Sequence, residues 1–163
     1  MRRWLVGWLL AWVLGSAAMA AEPGIYRREL PAPVERVYPA VYQALEAARF
    51  WVVFEADILG NIARFKADWG EDYNRAGLEA ARVLVVCNGW FSNRVTGADP
   101  DLLALCPLRV GFYQRDGRTV VVFARPTVAA QGSPGLPVVA EVEQQVIGAI
   151  DTGLAKVQQE ESQ

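Results

Sequence analysis

From residue 25 to residue 157 the chain alternates short apolar runs with stripes of apolar residues spaced three and four apart, a pattern that predicts a mixed α and β domain. Ile25 to Leu30 reads as a short strand, stopped by Pro31 and Pro33. Val34, Val37, Tyr38, Val41, Leu45 and Ala48 then form one stripe, which predicts a helix in spite of Pro39 in its second turn. Trp51-Val52-Val53-Phe54 is expected to be a buried strand. After Asp57 a shorter helix is expected to line up Ile58, Ile62, Phe65 and Trp69 on one face.

Arg82 to Cys87 is apolar at Val83, Leu84, Val85 and Val86, as a strand covered on both faces near the middle of a sheet would be, and Asn88-Gly89 ends it. Leu108–Arg115 and Arg118–Arg125 flank Asp116-Gly117, a dipeptide that tolerates the positive φ of a tight hairpin turn. Val139, Val142, Val146, Ile150, Leu154 and Val157 mark a long closing helix after the Gly132-Ser133-Pro134-Gly135 loop. The expected order is strand, helix, strand, small helix, three strands, helix. Its simplest layered solution is an α+β domain, an antiparallel sheet with helices packed on one face.

The first 20 residues follow different rules. Arg2 and Arg3 precede an uninterrupted apolar run from Trp4 to Leu14, and Gly15-Ser16-Ala17-Ala18-Met19-Ala20 supplies the small residues of a cleavage site after Ala20. This predicts a cleavable signal peptide over 1–20, a single mature domain over 21–163, and a periplasmic or secreted location. The other reading is an uncleaved anchor, since the uncharged stretch runs on to Ala21. After cleavage no stable membrane insertion is expected.

Charge and composition remove several classes of function. The net charge is −2 over 163 residues; without Arg2 and Arg3, 14 basic residues face 18 acidic ones, about −4 for the mature domain. The arginines are scattered and the only lysines are Lys66 and Lys156, so neither nucleic acid nor anionic lipid is an expected partner. The chain has no histidine, which excludes for this chain alone a Ser-His-Asp triad, a Cys-His dyad, a three-His zinc site and C-x-x-C-H haem attachment. No cofactor and no metal are expected. The acidic turn of Asp68, Glu71, Asp72 and Asn74 lacks the spacing of a calcium loop.

Cys87 closes one expected strand and Cys106 precedes the next, with residues 88–105 looping between them. Antiparallel neighbours would bring both to one end of the sheet, and in an exported protein such a pair is expected to form a disulfide worth roughly 3 kcal/mol by loop-closure entropy. The competing reading is a reactive thiol, with Arg94 or Asn88 tuning it. Against that stands Cys106, at the C-terminal end of a short helix expected from Asp99 as N-cap and Pro100 at its first position. Asn88, Trp90, Phe91, Asn93 and Arg94 form the candidate binding loop. Trp90 and Phe91 either present an apolar contact or fold under the loop to pin it.

The segments Val41 to Glu46, Phe50 to Asp57, Val83 to Asn88 and Asp99 to Tyr113, with the closing helix, resemble the domain of unknown function 302 family over nearly all of the mature chain. The resemblance implies a small antiparallel sheet with helices on one face, similar to the TATA-binding-protein-like arrangement, and it implies no catalytic residue. The expectation is therefore a small non-catalytic binding or accessory protein stapled by a Cys87–Cys106 disulfide. The alternative is a thiol-dependent redox or sulfur-carrier protein using Cys106 or Cys87. A homodimer formed through the free sheet edge or the apolar loop is a third expectation.

Overall fold

The computed structural model describes residues 24–162, so the expected signal peptide lies outside the described residues. Five strands form one antiparallel sheet: β1 (Ile25–Leu30), β2 (Trp51–Asp57), β3 (Ala80–Cys87), β4 (Leu108–Arg115) and β5 (Arg118–Ala124), in the order β1-β5-β4-β3-β2. Helices α1 (Val34–Ala47) and α6 (Leu136–Glu161) lie on one face of it. Between them in the chain come α2 (Ile58–Ala63), α3 (Lys66–Trp69), α4 (Gly89–Ala98) and α5 (Pro126–Ala129), with short 3-10 turns at Gly70–Asp72 and Pro100–Leu105. This is the expected α+β architecture.

The core forms where the apolar stripes of α1 and α6 meet the inward residues of the sheet. Val37, Val41 and Leu45 face Leu84, Val86, Val110, Phe112, Val121 and Phe123, and Val146, Ile150, Leu154 and Val157 of α6 complete the layer. All six positions read from the sequence for the closing helix are buried. The two helices approach closely at Gly153, where a Cβ would stand 2.7 Å from Val41 Cα, so that contact requires glycine. The hairpin turns at Asp116 and Gly117, with φ of 52° and 68°.

Two expectations are corrected here. The strand of Trp51-Val52-Val53-Phe54 is not buried: it is the sheet edge, with Trp51, Val53 and Phe54 exposed. A bulge at Val53 is the physical reason. Val52 pairs with Val86 and Phe54 with Val85, so the extra residue turns Phe54 away from the core and brings Glu55 opposite buried Leu84. There Glu55 accepts a 2.5 Å hydrogen bond from the Tyr38 hydroxyl. The single helix expected after Asp57 is broken into α2 and α3, and neither contains a buried residue.

β3 is paired on both sides, as expected for an interior strand. Its outward-facing valines, Val83 and Val85, are only half-buried, however, because both long helices cover the opposite face.

Candidate functional site

The stretch expected to be a loop between the cysteines is largely helical. Asn88 ends β3 and caps α4, its side-chain oxygen accepting from Phe91 N at 3.1 Å. The helix runs to Ala98. Asp99 then caps the 3-10 turn through Asp101 N at 3.1 Å, with Pro100 next, as the sequence implied. A second, small core of Leu102, Ala130 and Val139 seats this turn on the start of α6.

This arrangement brings Cys87 and Cys106 to the same rim of the sheet, because β3 and β4 are antiparallel neighbours. The expected disulfide is absent: both are free thiols, 4.3 Å apart against the roughly 2.0 Å of an S–S bond. Ser92 flanks the pair. Its Oγ lies 3.0 Å from Cys106 Sγ and 3.5 Å from Cys87 Sγ, and it donates its own hydrogen to the Asn88 carbonyl at 3.0 Å. Cys106 follows the 3-10 turn and is half-buried. Burial pushes its thiol pKa up; the Ser92 hydrogen bond opposes this, and the neighbouring Cys87 adds to it.

The thiols open into a cleft of about 40 Å³, walled by the apolar side chains of Phe50, Phe91, Val95, Leu102, Leu105 and Val139 among others. That space suits a guest of one or a few atoms. Its lining contains no carboxylate, guanidinium or ammonium group.

The residues of the candidate binding loop do not converge on the thiols as a set. Asn88 is used as a helix cap. Phe91 folds under and stacks on Phe50, with ring centroids 5.9 Å apart, whereas Trp90 points outward and is 67 % exposed. Asn93 is exposed, and Arg94 pairs with Glu141 at 2.8 Å and lies over the Phe91 ring, away from the role of tuning a thiolate. Trp90 borders a separate, more polar groove with Arg49, Trp51, Glu141 and Gln145. Sequence reasoning missed Ser92. Its signal was position: one helical turn after an asparagine that caps, it reaches back to the strand end.

Beside the cleft a buried carboxylate ties α5 to α6. Glu143 accepts from Arg125 Nε at 2.7 Å, Thr127 N at 3.0 Å and Thr127 Oγ1 at 2.5 Å. Burial acts to raise its pKa, but the Thr127 hydroxyl and amide and the Arg125 guanidinium together hold it below the usual carboxylate range.

Among the described residues no helix is long and apolar enough to cross a membrane. An antiparallel five-stranded sheet, two long helices on one face and a thiol-bearing rim define a small α+β domain, a class that spans many functions. The family model described as Domain of unknown function DUF302 matches residues 26–153, and the chain belongs to that family. The chain is similar in structure to the crystal structure of an uncharacterized conserved protein DUF302 from Bacillus stearothermophilus, with a TM-score of 0.68 at 18% identity. That likeness covers 79% of this chain and 97% of the other and concerns the fold. No curated protein matches the chain.

Proposed function

We propose that this protein is an exported accessory or binding domain without a catalytic step of its own, and that its ligand site is the thiol-bearing cleft between α4 and the rim of the sheet. One observation carries the reading: two thiols and the Ser92 hydroxyl face a largely apolar cleft, lined also by Asn88 and Thr96, that holds no ionised side chain. A thiol nucleophile works as thiolate and needs a base or a nearby cation to form it. Here burial raises Cys106, and Arg94 is engaged by Glu141. Export rests on the basic, apolar and small-residue succession of residues 1–20.

The second reading, a thiol-dependent redox or sulfur-carrier protein, draws on the closeness of the pair. Alkylation rates separate the two. With the reduced protein and iodoacetamide, followed by mass spectrometry from about pH 6 to about pH 10, Cys106 is expected to react more slowly at neutral pH than cysteine in an unfolded peptide of ordinary pKa, about 8.5. Its rate should rise only at higher pH. Reaction faster than the peptide at neutral pH would overturn the binding reading in favour of the thiol chemistry.

A further inference from the structure

We propose that Cys87 and Cys106 together form a two-coordinate site for a soft monovalent cation, Cu(I); this rests on the cleft being a binding site and names what it binds. The donor set comes first. Two thiols are the only soft donors at the site, and soft sulfur ligands select Cu(I) over harder cations that prefer oxygen. Among the described residues no group of three or more Cys, Asp or Glu side chains is placed to hold an ion, and the chain has no histidine. A zinc ion, which takes four ligands, is therefore poorly served here, whereas a cation content with two thiolates is fully served.

Spacing points the same way. Metal–thiolate bonds of about 2.3 Å, the length known for zinc, span about 4.6 Å when collinear and less when bent. The cysteines stand 4.3 Å apart, a separation that matches a nearly linear S–Cu–S unit, with the Ser92 hydroxyl beside it to shift as the ion enters. Cys87 is the last residue of β3, and Cys106 lies between the 3-10 turn and β4, just beyond the Val86–Leu108 end of the ladder.

The surroundings suit the charge change. Binding forms two S–Cu bonds and releases both thiol protons to solvent; copper stays monovalent, and the site goes from neutral in the apo protein to one net negative charge. Ser92 is placed to respond. Its hydroxyl now donates to the Asn88 carbonyl while lying against both sulfurs, and once the thiol protons leave it can rotate to donate to a sulfur instead. The positive end of α4 begins at Gly89, two residues beyond Cys87, and adds a favourable field for the anionic unit. The apolar walls limit water, which protects Cu(I) from competing ligands.

The test uses the purified, fully reduced protein under anaerobic conditions, titrated with Cu(I) against a chromophoric Cu(I) chelator. One equivalent per chain should be retained, Cys87→Ser and Cys106→Ser should each abolish retention, and Ser92→Ala should weaken it by about 10- to 100-fold. X-ray absorption of the loaded wild type should show two sulfur neighbours, a readout that does not depend on any variant folding. Failure to retain Cu(I), a coordination shell without two sulfurs, or Zn(II) retained as firmly as Cu(I) would each overturn the proposal. Labelling the same preparation with N-ethylmaleimide tells the two failures apart. Thiols that label in the folded protein but hold no copper reject the metal and leave an accessible cleft. Thiols that neither label nor bind reject the cleft as a site as well.

Discussion

The body of the domain and its thiol-bearing rim are built by different rules. Between the sheet and the helices α1 and α6, long apolar stripes meet inward strand residues, and several side chains, Val37, Val41, Leu45 and Ile150 among them, are completely enclosed. At the rim, α4 and the turn that follows it are short, and only Phe91 and Leu102 of these two elements are buried. A cleft of about 40 Å³ remains between them and the sheet. Helices of ten and six residues gain little from propensity alone, so this region depends on the small core of Leu102, Ala130 and Val139 for its seat. The contrast teaches where binding chemistry can be accommodated: in the part of the fold that local packing leaves incompletely filled.

Truncations on the two sides should differ most. Ile150→Ala, deep in the main core, is expected to cost about 2–5 kcal/mol in urea denaturation. Leu102→Ala should cost about 2 kcal/mol or less, because its void merges with a cleft that already reaches solvent. Equal losses would mean that both regions are packed alike, and the comparison would fail.

Glu143 joins the regions, since it holds the α5 residue Thr127 from within α6. Glu143→Gln is expected to lower stability by about 1–3 kcal/mol at neutral pH, the weight of hydrogen bonds to a charged acceptor. The sign with pH follows from its lowered pKa. The folded state favours the ionised form, so the contribution is present above the unfolded value of about 4.3 and is lost as pH falls through the lower folded value. Urea melts of both proteins should therefore converge in acid; a gap that persists there would show that the charge is not what binds α5 to α6.

Two glycines of α6 should respond in opposite directions, and the smallest effect of all is expected at Gly148. Gly153→Ala drives a methyl into the backbone of Val41 and should destabilise by about 1–3 kcal/mol. Gly148→Ala meets nothing within 4 Å and should stabilise by about 0.5–1 kcal/mol through helix propensity. Thermal unfolding of the pair checks whether the close approach of α1 and α6 governs the main core, since a neutral Gly153→Ala would deny it.

Legibility followed the same division. α1 and α6 were readable because each shows one periodicity over a sufficient length, and β1 and the Asp116-Gly117 hairpin because prolines and a turn dipeptide mark their ends. β2 misled because its apolar run suggests burial while a bulge and an edge position turn Phe54 outward. α4 was read as a loop because Asn88-Gly89 resembles a turn, although Asn88 serves equally well as a cap. The closeness of the cysteines was legible from strand direction. The role of Ser92 was not, for it depends on a helix that the pattern concealed.

The order of residues alone decided which faces of the long helices and central strands are apolar, that two successive strands form a tight hairpin, and that imidazole chemistry is absent from this chain. Only the folded arrangement decided which strand lies at the edge, how Phe91 meets Phe50, and that a serine hydroxyl lies against two free thiols in a largely apolar cleft. Periodicity records what each element must hide from water, a local property; which elements then meet, and where they leave space, depends on contacts between residues far apart in the chain.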